Sequence, residues 1–186
     1  MSARKKKPLA DIGTVLRKLT SPEALKPWAD YMASIDPWKR LEIAADTLLG
    51  RWTAPGAPWW FYSAADPKNA KIGGFDHEHG LVVFCVDGRA VVEGFLKTSL
   101  PEGFSEEGGY VQAIATKNRH KGVGKYLLHA AERVISEKHK RIFLFVSESN
   151  AAAQRFYKSA GYEEIARVSD CIKPGNTEIL MTKSLA

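Results

Sequence analysis

Over residues 110–182 the apolar pattern switches repeatedly between the period of a strand and that of a helix. No other feature of the chain constrains its fold as much. In Tyr110 to Thr116, Val111, Ala113 and Ala115 alternate against Gln112 and Thr116, as in a half-buried strand. Lys121 to Lys138 carries Val123, Leu127, Ala130 and Val134 on one helical stripe, widened by Ala131 and Ile135. Ile142 to Val146 is an unbroken apolar run, which suits a strand covered on both faces. Ser149 is placed to cap a helix through Ala160, and Gly161 suits the left-handed position after it. Strands near Tyr162 to Val168 and Glu178 to Thr182, joined through Pro174-Gly175-Asn176, complete the series. That order argues an α/β or α+β chain with some parallel pairing.

The first half is less regular. Thr14 to Leu19 reads as a short strand. Ser21-Pro22 reads as an N-cap with proline at the first helical position, followed by Leu25, Trp28, Ala29, Met32 and Ala33 at helical spacing up to Asp36-Pro37. Trp38 to Leu49 is expected to form a second helix with Gly50 at its C-terminal end, and the aromatic run Trp59 to Tyr62 a strand. Leu81 to Val86 reads as a strand turning at Asp87-Gly88, a hairpin signal, into a returning strand Ala90 to Leu96.

With 186 residues the chain is sized for one domain. The expected division is a disordered basic tail at 1–8 and a single domain over 9–186. Removing the charges of Arg4, Lys5, Lys6 and Lys7 from the formal net charge of +6 leaves +2, so the body is only mildly basic. No run of about 18 apolar residues exists to span a bilayer, and the charged N-terminus precedes no apolar segment of the secretory kind. Cys85 and Cys171 are too few and too separated for a disulfide framework or a zinc site, and read as reduced thiols in a cytoplasmic protein.

The chemistry concentrates in Arg119-His120-Lys121-Gly122-Val123-Gly124-Lys125, which follows a strand and opens a helix. Glycines admit a ligand close to the backbone, the first N–H groups of a helix lack partners, and the helix dipole and basic residues add positive potential. Such a loop suits a pyrophosphate. Its spacing matches neither Gly-x-x-x-x-Gly-Lys-Ser/Thr nor Gly-x-Gly-x-x-Gly.

Arg119-x-x-Gly122-x-Gly124 resembles the acyl-CoA pyrophosphate loop of the GNAT superfamily of N-acetyltransferases. Asn150, Ala153, Phe156-Tyr157 and Gly161-Tyr162 resemble its second segment, at a fitting separation. The stretch from Asp170 through Gly175 to Glu178-Ile-Leu-Met-x-Lys183 resembles the last strands of small prokaryote-type members. The resemblance implies a mixed, mostly antiparallel sheet of six or seven strands flanked by about four helices, with a V-shaped opening between strands 110–116 and 141–146. It implies acetyl-CoA as cosubstrate, no metal, and an amine acceptor. Ile114, Ala115 and Thr116 would pair with the pantetheine arm. Arg119 would begin the pyrophosphate loop, with Lys121, Gly122, Val123, Gly124 and Lys125 holding the pyrophosphate through their N–H groups. Asn150 and Ala153 would border the arm, Asn150 could equally be a helix N-cap or both, and Tyr157 would protonate the departing thiolate. The resemblance also implies a possible homodimer and no membrane or nucleic-acid partner.

Many relatives carry a carboxylate base on the strand before the pyrophosphate loop, where this chain has Gln112. Glu93, Glu102, Glu106 and Glu107 are the alternatives at hand, together with a water chain. His77 and His79 would share one side of an extended segment, half of a metal site or simply a polar hairpin end. Trp38 and the Trp59–Tyr62 cluster could line an acceptor groove or pack in the core. Three other functions stand beside the transferase: a CoA-binding module without chemistry, a nucleic-acid or ribosome-associated protein led by the basic tail, and a metalloenzyme built on the two histidines.

Overall fold

The computed structural model describes residues 14–69, 71–72, 74–95, 107–117 and 122–185. The basic tail at 1–8 lies outside them, as do Glu102, Glu106, Arg119 and Lys121. The described elements run β1 (Val15–Leu19), α1 (Pro22–Ser34), α2 (Ala45–Thr53), β2 (Trp60–Ala65), β3 (Glu78–Cys85), α3 (Arg89–Phe95), β4 (Gly109–Thr116), α4 (Val123–Ser136), β5 (Arg141–Ser147), α5 (Ala151–Ser159), β6 (Glu163–Ser169) and β7 (Thr177–Ser184). The strands form one sheet in the order β1-β2-β3-β4-β5-β7-β6. All neighbours are antiparallel except β4 and β5. This is the mixed, mostly antiparallel sheet of six or seven strands that the resemblance implies, with five α-helices described where about four are expected.

Strand alternation sorts the core into two layers. On one face Val82, Phe84, Val111, Ile142, Leu144, Ile179 and Met181 pack against Leu127, Leu128, Ala131 and Ile135 of α4 and Tyr157 of α5. On the other, Leu81, Val83, Ala113 and Ala115 meet Leu25, Trp28, Met32, Leu48 and Trp52 of α1 and α2. Cys85, Tyr110, Phe143 and Leu180 continue that second face against Val92 of α3. Both cysteines are buried and neither is in a disulfide.

Four expectations are corrected. The segment after Asp87-Gly88 is the helix α3, not a returning strand, because β4 supplies the antiparallel partner of β3. Gly88 serves close approach rather than a hairpin: a Cβ there would stand 2.5 Å from the Tyr110 side chain. The second helix begins at Ala45, not Trp38, and runs through Gly50 to Thr53. Glu42 takes a φ of 58°, which ends any earlier helical turn, and burying both Leu48 and Trp52 requires an unbroken turn across Gly50. The cap of α5 is Asn150, whose side chain accepts from the Ala153 N–H at 3.1 Å; the Ser149 hydroxyl bonds that of Ser147 instead. Finally, His77 closes a 3-10 turn over Phe75–His77 while β3 starts at Glu78, so His77 and His79 do not share an extended segment. Among the described residues no group of three metal-ligating side chains forms, and no helix is long and apolar enough to cross a membrane.

Candidate active site

The site arises where β4 and β5 part. Their parallel pairing covers Gly109↔Ile142, Tyr110↔Phe143 and Val111↔Leu144, and ends there. Beyond it β5 pairs only with β7, through Ser147↔Glu178, while β4 continues beside β3 to Thr116↔Gly80. The parting begins at a bulge: Phe84 faces Val111 and Val83 faces Ala113, so Gln112 is skipped. A bulge adds twist and bends its strand. The edge of β4 over Ile114, Ala115 and Thr116 therefore borders a gap.

That gap opens into a cavity of about 460 Å³. Ile114, Ala115 and Thr116 line it from β4, and Asn150, Ala153 and Tyr157 from α5. Trp38, Leu41 and Ile43 from the segment between α1 and α2, with Ile172 from the β6–β7 connection, form its apolar wall. Lys173 ties those two walls together, donating to Arg40 O at 2.9 Å and Glu42 Oε1 at 3.0 Å. Trp38 is thus a wall of the cavity. The Trp59–Tyr62 run is not: Phe61 is core, Trp59 meets Tyr110, and Trp60 and Tyr62 pack on Phe84.

Gly122 caps α4 in the left-handed conformation, with φ 95°, which glycine adopts without strain. The Tyr126 N–H bonds Gly122 O at 2.8 Å, and the N–H groups of Val123, Gly124 and Lys125 precede it at the helix start. A Cβ at Gly124 would stand 3.6 Å from Phe156 and 3.9 Å from Thr116. The opening of α4, the end of β4 and the helix carrying Tyr157 therefore converge. Of the residues assigned to this site from the sequence, only Arg119 and Lys121 fall outside the described residues.

Burial pushes the Tyr157 phenol well above its ordinary value, so it keeps its proton at neutral pH. Of the carboxylates considered as bases, Glu107 is exposed and does not line the cavity, and Glu93 belongs to α3 rather than to a strand. Two carboxylates among the described residues do line it: Asp36, exposed and paired with Arg40, and Glu178 at the start of β7, 4% exposed. Its burial pushes its pKa up to about 7, with Asn176 and Ser147 favouring the anion and pulling the other way. The sequence carried one signal for it, an acid leading directly into the apolar run Ile179-Leu180-Met181.

The chain matches the acetyltransferase (GNAT) family over residues 42–162, more than half of its length. It belongs to the GNAT acetyltransferase family. Solved structures share its fold across nearly the whole chain. Arabidopsis thaliana NAA60 in complex with acetyl-CoA is 17% identical, with a TM-score of 0.65, covering 92% of this chain and 98% of its own. NAA60 in complex with a bisubstrate analogue gives 16% identity and a TM-score of 0.66, covering 93% and 99%. Ard1 from Thermoplasma volcanium gives 16% and 0.61, covering 94% and 99%. At these identities the likeness of this GNAT chain to them establishes the fold alone.

Proposed function

We propose that this GNAT protein transfers an acetyl group from acetyl-CoA directly to a primary amine, either of a small molecule or of a protein N-terminus or lysine. The observation that carries this reading is the parting of β4 from β5 beside Tyr157. An extended thioester arm fits such a gap. The residues suit the donor: helix-start N–H groups at Val123, Gly124 and Lys125 for its pyrophosphate, and the freed edge of β4 at Ile114 to Thr116 for its amide-bearing arm. The Asn150 side-chain oxygen caps α5, which leaves its NH₂ to donate to the arm. The acetyl-CoA complex of NAA60 supports the choice of donor.

The chemistry follows from these positions. A neutral amine attacks the thioester carbonyl, and N–H donors aimed from β4 stabilise the tetrahedral oxyanion. As the C–S bond breaks, the Tyr157 phenol protonates the sulfur. The opening over α1, α2 and the β6–β7 connection admits the acceptor.

The test is release of free thiol from acetyl-CoA in the presence of primary amines, comparing the wild type with Tyr157→Phe. The expected result is amine-dependent thiol release that falls about 100-fold or more in the variant, with calorimetric affinity for acetyl-CoA within threefold of wild type. Equal rates would remove Tyr157 from the chemistry. Binding without turnover on any amine would favour a CoA-binding module.

A further inference from the structure

Among the described residues three carboxylates are buried, Glu78, Glu132 and Glu178. Two have cationic partners. Glu78 accepts from Arg17 at 3.0 Å, Ser63 at 2.9 Å and the Trp28 indole. Glu132 accepts from Lys183 at 2.9 Å and the Tyr162 hydroxyl at 3.1 Å, and meets His129 Nδ1 at 2.9 Å. Glu178 has no such cation among the described residues: Asn176 and Ser147 favour its anion, yet its Oε1 is buried without a hydrogen-bond partner. Burying a carboxylate unpaired is costly. An ammonium group, with three donors and a positive charge, is the complement that this carboxylate lacks.

Its position gives the ligand a direction. Ile179 and Met181 face α4 and α5, so Glu178 shares the opposite face with Leu180, which packs with Val92 of α3, and it lines the cavity together with Tyr31 and Met32 of α1. Tyr157 reaches the same cavity from the α5 side. The two groups flank the gap between β4 and β5 from opposite faces of the sheet.

We propose that Glu178 is the general base of the acetyl transfer, taking a proton from the acceptor ammonium as it enters from the α1–α2 side. This assignment rests on the transferase reading above. Glu178 accepts one proton of R–NH₃⁺ and passes it to bulk water. The freed amine forms the C–N bond, the C–S electron pair leaves with sulfur, and sulfur takes the Tyr157 proton. The second proton shed by nitrogen, as the amide forms, returns to the tyrosine through solvent, so one proton is released per turnover. An acid and a base whose environments differ this way are matched to such a cycle.

The groups sharing the cavity are Tyr110 from β4, Cys171 from the β6–β7 connection, Tyr31 from α1, Arg51 from α2, Asp36 beyond α1 and Lys117 beyond β4. The Tyr31 hydroxyl donates to Thr116 O at 3.0 Å, Asp36 pairs with Arg40 at 3.3 Å, and the Lys117 ammonium binds Phe75 O. Tyr110 is buried and held protonated. Burial lowers the pKa of the Lys117 ammonium from its ordinary value, and brings that of Glu178 up to about 7.

The test uses the full chain, acetyl-CoA, and a panel of spermidine, lysine and short peptides with free α-amino groups. Thiol release is followed on the panel amine that the wild type acetylates fastest. In Glu178→Gln, kcat/KM should fall about 100-fold or more. The limb of the pH profile near 7 should vanish, Glu178→Asp should restore part of the rate, and calorimetric affinity for acetyl-CoA should stay unchanged. A readout independent of turnover is a carboxylate infrared band titrating near 7 in the wild type and absent from Glu178→Gln. A Gln variant with the wild-type rate and pH limb overturns the assignment while leaving the transferase intact. A wild type that binds no acetyl-CoA overturns both.

Discussion

Trp52 donates its indole N–H to the side-chain oxygen of Gln112 across 2.8 Å. Helix α2 thereby holds the one residue of β4 that has a register partner in neither β3 nor β5. The bulge that starts the opening of the sheet is thus clamped from the α2 side.

Trp52→Phe keeps the ring packed near Phe61, now 5.6 Å away, and removes only the donor. Stability should drop by about 1 kcal/mol. The loosened bulge should raise the dissociation constant for acetyl-CoA severalfold. Thermal unfolding and calorimetry on one preparation measure both. A lower Tm with unchanged affinity would separate the clamp from the cofactor gap.

Elements that announce themselves locally were legible in the sequence. Ser21-Pro22 fixed the start of α1, the apolar run at 142–146 became β5, and Gly122 stands at the opening of α4. The start of α2 turned on local geometry, the positive φ of Glu42, but other readings failed on contacts distant in sequence. Gly88 looks like a hairpin residue until β4 is seen lying against it. Ala90 to Leu96 has the composition of a strand, but β4 takes the edge of β3 that it would have filled. Glu178 looks like any acid opening a strand, because its burial and lack of a cation are properties of the assembled cavity.

The buried Glu178 also has a cost that pH exposes. Its folded pKa, about 7, lies above the ordinary 4.5, so the native state binds the proton more tightly than the unfolded chain does. The associated stability is fully present below the ordinary value and is lost as pH rises to about 7, by up to about 3 kcal/mol. Glu178→Gln should match the wild type in Tm at acidic pH and exceed it by several degrees at pH 8 or so. A gap between the two that does not widen with pH would contradict this.

Glu78 plays the opposite part. It joins Arg17 of β1, Ser63 of β2 and Trp28 of α1 at the start of β3. Glu78→Ala strands a cation and two buried donors, and should destabilise by about 3 kcal/mol or more. The urea midpoint reads this directly. A loss below about 1 kcal/mol would mean that water replaces the carboxylate.

The central claim is that the opening of α4 holds the pyrophosphate of acetyl-CoA, and Gly124→Glu tests it most directly. Gly124 takes no positive φ and meets nothing closer than 3.6 Å, and an acid in the first turn of a helix is favoured by the helix dipole. The variant should therefore fold at least as well as the wild type while placing a negative charge where the pyrophosphate is proposed to bind. Calorimetric titration of acetyl-CoA should give micromolar binding to the wild type and none to Gly124→Glu at equal or higher Tm. Equal binding by both would contradict the placement of the cofactor, and with it the account of the site.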